Sequence, residues 1–255
     1  LTGAKPVGVP LQKPDLRPNI QALAEAITPA TKVLLLNSPH NPSGIVFNRE
    51  ELSAIASLVI EHDLIVISDE AYEHLWFDSH IHIPISTLPG MFERTITIGS
   101  GGKSFSFTGW KVGWASGPQP LISAVKSVRQ HLSYVSGGPF QLAIAAGLGL
   151  PDQYFNEFRR GLSAKRDQLS AGLEHIGMRV IPTEGTYFVT TDISPLGYSD
   201  GMEFTRMLAK SCKVVAIPEQ VFTRTGQDFK EYVRWAFCKK PEVLTEALER
   251  IHTIS

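Results

Sequence analysis

Little in this chain is extreme, and each thing it lacks removes a class of protein. Only two of its 255 residues are cysteine, Cys212 and Cys238. One disulfide is possible, but a disulfide-built secreted fold is excluded, and two core thiols in a reducing cytoplasm are expected. No apolar run approaches the roughly 20 residues needed to span a bilayer, so no membrane partner is expected. No basic run or stripe occurs, and 24 Lys+Arg stand against 25 Asp+Glu, which argues against nucleic acid as a main partner. The opening LTGAKPVGVP has neither a signal-peptide core nor a starting Met. There is no internal repeat and no low-complexity tract. His80 and His82 alternate in SHIHIP but have no third ligand beside them, so both are read as surface residues and no metal site is expected. What remains, 43% hydrophobic and 19% charged, is the composition of a globular protein with a real core.

Short apolar runs alternate with helical patterns. Strands are expected at Lys32–Leu36, Leu64–Ser68, Thr95–Ile98 and Val112–Ser116. A helix lies between the first two, opened by Asn48 with Glu51 three residues on and continued by Leu52, Ile55, Ala56, Val59 and Ile60. Continuous apolar strands separated by helices predict an α/β arrangement, a mainly parallel sheet covered on both faces, with ligands at the carboxyl ends of its strands. From Leu121 to His175 helices dominate, broken at Gly137-Gly138-Pro139 and near Pro151, with Asp152–Gly177 long enough for one helix. Strands at Met178–Ile181, Thr186–Thr191, Val214–Ile217 and Tyr232–Phe237 follow, with helices at Met202–Ser211 and Glu242–Ile251. This predicts part of a large α/β domain over 1–150 and a smaller α+β domain over 151–255.

The chemistry concentrates in TIGSGGKSFSFTGWKVGW, residues 97–114. A lysine in a Gly/Ser loop suggests a phosphate-cradling P-loop, but that pattern needs glycine at 97, where Thr97 stands. The aromatic and β-branched residues after Lys103 make a poor helix start. The acidic strand end LIVISD also precedes the lysine instead of following it. A lysine amine is equally suited to Schiff-base chemistry with a carbonyl cofactor. Pyridoxal phosphate needs a lysine for its aldehyde, a carboxylate for its ring nitrogen, donors for its phenolate oxygen, and cations or hydroxyls for its phosphate. A carboxylate at a buried strand end, Asp69, suits the second task.

Four blocks, N-S-P-H-N-P-S-G (37–44), S-D-E-A-Y (68–72), S-G-G-K-S-F-S-F-T-G-W-K-V-G-W (100–114) and V-R-W-A-F (233–237), resemble in order and spacing the fold-type I, class I aminotransferases. The gaps are 28 residues from Asn41 to Asp69, 34 to Lys103 and 131 to Arg234. The resemblance implies pyridoxal 5'-phosphate as cofactor, with Lys103 holding it covalently and shuttling the proton. It implies Asp69 on the ring nitrogen, Asn41 and Tyr72 on the phenolate oxygen, Ser100 and Lys111 on the phosphate, and Arg234 on the substrate α-carboxylate. Many relatives carry arginine where Lys111 stands, which keeps the charge and loses the bidentate fork. Taken singly, each residue also has an ordinary explanation: a turn cap for Asp69, a turn for Asn41-Pro42-Ser43-Gly44, a core-edge ring for Tyr72, solvated charges for Lys111 and Arg234. Trp76 and Phe77 read as packing residues.

The resemblance also implies a cytoplasmic homodimer with shared active sites, Tyr134–Gln141 falling where cross-subunit contacts are expected. It places this chain as the C-terminal portion of such an enzyme. Relatives carry a phosphate-binding loop, a stacking aromatic and a closing segment ahead of the position of Leu1, so the isolated chain is expected to bind cofactor weakly and turn over poorly. The expected reaction moves an amino group between an amino acid and a 2-oxo acid, with N-succinyldiaminopimelate and 2-oxoglutarate of lysine biosynthesis as the first choice. Kynurenine or glutamine transamination, or cysteine-S-conjugate β-lysis, is the alternative. From another class, a catalytically inactive fragment or binding module is the rival, and a nucleotide hydrolase is a further one.

Overall fold

The computed structural model describes residues 3–135 and 137–254. Its contacts divide the chain into two compact units, one of residues 20–40 and 46–159, the other of residues 1–19, 41–45 and 160–255. The division falls inside a single long helix, between Arg159 and Arg160.

In the first unit, strands β1 (Val33–Asn37), β2 (Ile65–Asp69) and β3 (Thr95–Ser100) run parallel, and β4 (Gly113–Ser116) closes the sheet antiparallel to β3. A short helix α1 (Ile20–Ala26) precedes them. Helix α2 (Arg49–Glu61) makes the β1–β2 crossover. Its start follows from the sequence: Asn48 accepts from the Glu51 amide at 2.9 Å, and the Glu51 carboxylate accepts from the Asn48 amide at 2.8 Å. Such a cap is worth about 1 kcal/mol. Leu52, Ile55, Ala56 and Val59 are its buried stripe.

At the outer strand β1 one face of the sheet is open, whereas at β3 both faces are covered, Thr95 and Ile96 being buried in succession. Leu36, Val66 and Ser68 face inward and are buried, whereas Leu35, on the other face, is 71% exposed. Since side chains alternate along a strand, Asp69 shares the open face with Ile67, Leu35 and Asn37, and Glu70 turns into the buried one. Between β3 and β4 the backbones approach closely. A Cβ on Gly99 would fall 2.3 Å from the Trp114 indole, and one on Gly113 would fall 2.8 Å from the Gly99 carbonyl oxygen. After β3 the chain makes a four-residue helical turn, α3 (Gly101–Ser104), then a 3₁₀ turn over Thr108–Trp110. Phe107, Trp110 and Phe140 stack in sequence, at 4.5 and 4.4 Å between centroids, and hold this loop. Helices α4 (Gln119–Leu132) and α5 (Gly138–Leu148) follow. Of the Tyr134–Gln141 segment, Ser136 lies outside the described residues.

Helix α6 (Asp152–Ile176) is the single long helix expected there. In the second unit the sheet has order β5 (Arg179–Ile181), β6 (Phe188–Asp192), β8 (Tyr232–Ala236), β7 (Ile217–Pro218), antiparallel throughout. Strand β7 is shorter than Val214–Ile217 suggested: Val214 and Val215 precede the pairing, and Pro218 has no N–H to continue a ladder. Helix α7 (Gly201–Met207) is capped by Asp200, which accepts from the Met202 and Glu203 amides. Helix α8 (Pro241–Ile251) lies close on α6, where a Cβ on Gly172 would fall 2.3 Å from Leu248. Two short outlying pieces join this unit through Arg17, bidentate to Glu184 at 2.8 and 3.0 Å, and through the Gly44 carbonyl, which accepts from the Glu184 and Gly185 amides. Cys212 is buried, but Cys238 is exposed, so only one of the two thiols is a core residue; neither is in a disulfide.

Candidate active site

Three parallel strands end side by side in the first unit, and their carboxyl ends bring most of the predicted residues to one edge. Asn37 pairs in register with Asp69, and Asp69 with Ile98, two residues before Ser100. The Asp69 carbonyl accepts from the Asn37 side-chain amide at 2.8 Å and from the Ser38 amide at 3.3 Å. Its carboxylate accepts from the Ala71 amide at 3.1 Å, which fixes the turn leading to Tyr72. Asp69 is half-buried, on the open face of the sheet, while Tyr72 is buried. Lys103, in α3, holds its ammonium 5.5 Å from the centre of the Tyr72 ring. Ser100 is half-buried at the β3 end. Lys111 is exposed and adopts a left-handed conformation, φ 55°, at the end of the 3₁₀ turn.

Behind this edge lies a buried polar cluster that the motifs did not announce. Glu70 is 1% exposed in its side chain; it accepts from the Ser68 hydroxyl at 2.8 Å and lies 2.8 Å from His82 Nε2. His82 is therefore not the surface residue its alternation implied: its side chain is 5% exposed and stands against a carboxylate 12 positions away. Burial raises the Glu73 carboxyl, with His82 opposing and Glu70 adding to the shift. Burial, then the Arg159 charge and that of His82, pulls the His74 imidazole down to about 4. Arg159 itself lies over the Trp76 ring at 3.9 Å, so Trp76 packs as expected, and Phe77 is buried.

In the second unit the structure brings Asn41 and Arg234 together. An Arg234 Nη1 group donates to Asn41 Oδ1 at 2.6 Å. The guanidinium sits 4.0 Å from the Phe188 ring centre and 4.6 Å from that of Phe222. Two aromatic faces and one amide oxygen thus fix the plane of the fork, and a planar guanidinium is shaped to meet a carboxylate. With its oxygen accepting from Arg234, Asn41 has its NH₂ as the donor end. Phe188 and Phe222 have no motif signal; only the stacking reveals them.

Comparison with known proteins identifies the family. The sequence model of aminotransferase class I and II matches residues 1–251. The chain belongs to that family. It is 44% identical to a probable N-succinyldiaminopimelate aminotransferase of Mycobacterium tuberculosis, over 100% of this chain and 67% of that protein. It is 40% identical to human kynurenine–oxoglutarate transaminase 3, over 98% of this chain and 62% of that one. Among solved structures, the N-succinyldiaminopimelate aminotransferase of Mycobacterium tuberculosis superimposes with a TM-score of 0.91 at 46% identity, covering 93% of this chain and 62% of that one. The chain therefore spans about two thirds of the length of these relatives. The fold is the α/β, parallel-rich arrangement expected, and no helix among the described residues is long and apolar enough to cross a membrane.

Pyridoxal 5'-phosphate is the cofactor of this family, and the donor set here fits it. Within the first unit, an amine (Lys103), a carboxylate (Asp69), a phenol (Tyr72), and a hydroxyl and a cation (Ser100, Lys111) match its aldehyde, ring nitrogen, phenolate oxygen and phosphate in kind.

Proposed function

We propose that this chain carries the chemical machinery of an aminotransferase that moves an amino group from an amino acid to a 2-oxo acid. The observation that carries the reading is that Asp69 ends one parallel strand and Lys103 stands on the turn after the adjacent one. When bound, pyridoxal phosphate supplies an aldehyde that captures amines and a ring that withdraws electrons. Lys103 would be the residue that holds the cofactor aldehyde, and its amine would serve as the base for the proton at the substrate Cα. Asp69 would keep a proton on the ring nitrogen, its backbone held at the strand end by Asn37. Tyr72 and Asn41 would be the donors to the phenolate oxygen, and Ser100 and Lys111 would hold the phosphate. Arg234, its plane fixed by Phe188, Phe222 and Asn41, grips the substrate α-carboxylate.

The likeness to N-succinyldiaminopimelate aminotransferases at 44% identity favours that substrate, with 2-oxoglutarate as acceptor in lysine biosynthesis. The 40% identity to a kynurenine transaminase favours kynurenine or glutamine transamination, or cysteine-S-conjugate β-lysis, as the second reading. We further read residues 1–150 as part of the cofactor domain and 151–255 as the small domain, in a cytoplasmic homodimer.

The test adds pyridoxal phosphate, records the absorbance spectrum, reduces with borohydride and maps the labelled peptide. Label on Lys103 is the expected result; label scattered over exposed lysines rejects the assignment. Pyruvate and ammonia among the products would identify the β-lyase instead.

A further inference from the structure

Beside Arg234 the second unit buries a carboxyl that the reaction as described does not use. Glu219 sits on the 3₁₀ turn Glu219–Phe222 that follows β7 and is 4% exposed. Its Oε1 accepts from the Thr190 hydroxyl at 2.5 Å. Thr190 is the direct cross-strand partner of Arg234, so the two side chains share one face of the sheet. The same short turn supplies Phe222, one of the two rings on the guanidinium. Glu219 and Arg234 are thus held near each other by β6, β8 and a single turn.

The charges around it are few. Arg234 on β8 is the charged group that bears on Glu219. On β6, Asp192 pairs with Arg179. On α7, which packs against the turn, Glu203 and Arg206 are exposed. Burial pushes the Glu219 carboxyl up to about 7, with the Thr190 hydroxyl and Arg234 drawing it back. Arginine stays charged throughout. With Glu219 protonated, Arg234 has a neutral carboxyl nearby; with Glu219 ionised, it has a negative charge nearby.

We propose that Glu219 is a positioning residue for the carboxylate pocket: held by Thr190 beside Arg234, it sets the charge that an incoming substrate carboxylate meets, so that binding of the carboxylate is coupled to a proton on Glu219. This rests on the reading of Arg234 as the substrate-carboxylate arginine. The sign follows from linkage. A bound carboxylate disfavours a second negative charge nearby, so binding takes up a proton, and affinity falls as pH rises through the titration of Glu219.

The test uses the full-length holoenzyme and 2-oxoglutarate, with affinity measured by calorimetry between pH 6 and 8.5 in two buffers of different ionisation enthalpy. The wild type should bind less tightly at high pH, by about tenfold across the range, and take up protons on binding. Glu219→Gln should flatten that component of the pH profile and remove the matching proton uptake, while keeping the tighter binding seen at low pH. Thr190→Val, which deletes the hydroxyl that favours the ionised form, should move the inflection to higher pH. Should Glu219→Gln keep the wild-type slope and proton uptake, or should Glu219→Gln not fold and Thr190→Val leave the inflection in place, the coupling is refuted. Arg234→Gln separates the two readings. If it leaves 2-oxoglutarate binding intact, the assignment of Arg234 falls and this proposal with it. If it abolishes binding while the Glu219 and Thr190 variants behave as wild type, only the proposal falls.

Discussion

Removing His82 should reveal how much of the Asp69 edge depends on what lies behind it. The Glu70 carboxylate is almost wholly enclosed, and its two partners are the Ser68 hydroxyl and His82 Nε2, each at 2.8 Å. His82→Ala leaves one carboxylate oxygen without its donor in a place water does not reach. A buried pair broken by loss of one partner costs about 3–5 kcal/mol, whereas the hydrogen bond itself, to a charged group, is worth about 1.5–3 kcal/mol. Glu70→Gln keeps the shape and lowers the demand for a donor, so in that background His82→Ala should cost less, by a coupling of about 1.5–3 kcal/mol. Urea unfolding of the wild type, both single variants and the double variant, followed by tryptophan fluorescence, measures that coupling. The consequence reaches the site because the Glu70 amide donates to the Ile98 carbonyl at 2.9 Å, one step beyond Asp69 in the same ladder. His82→Ala should therefore also weaken retention of pyridoxal phosphate. Single-variant costs that add to within about 0.5 kcal/mol would show that no such pair acts in the folded state.

Glu219→Gln should change the pH dependence of stability. The wild-type carboxyl rises from 4.5 to about 7 on folding, so its contribution is fully present below about pH 4.5 and is lost as pH rises towards 7. At about 1.36 kcal/mol per pH unit the variant should gain roughly 3 kcal/mol on the wild type between pH 4.5 and 8 in denaturant titrations, and parallel curves would refute the burial argument. Gly99→Ala should cost about 1–3 kcal/mol, because its Cβ would fall 2.3 Å from the Trp114 ring and force the ring to move; a melting temperature equal to the wild type's would show that the ring yields freely. Arg234→Lys keeps the charge but loses the planar fork stacked between Phe188 and Phe222, and should raise KM for both substrates by about ten- to a hundredfold, read from steady-state kinetics.

What could be read from the sequence and what could not divide along a physical line. Strands β1, β2, β3 and β8, the capping box of α2 and the length of α6 were legible, because periodicity and capping are local and the residues that encode them are a few positions apart. The family was legible for a different reason: a reaction that needs an amine, a carboxylate and a planar cation dictates residue type at fixed places, and the family model matches residues 1–251. Local pattern failed wherever another element decides the environment. LLL in β1 looked covered on both faces, yet Leu35 is open. His82 looked solvated because alternation shows which face a side chain takes, not what lies on that face. Glu219, a charged residue after a proline, has every mark of an exposed turn; it is buried because β6 and β8 carry the turn inward. The hydrogen bonds that define these environments join residues 12 apart for Glu70 and His82, 29 apart for Thr190 and Glu219, and 193 apart for Asn41 and Arg234. The groups proposed to touch substrate or cofactor are therefore written in short motifs, whereas the groups around them are specified by the fold, and only the fold reveals a buried carboxyl on the same turn that carries Phe222 onto the arginine.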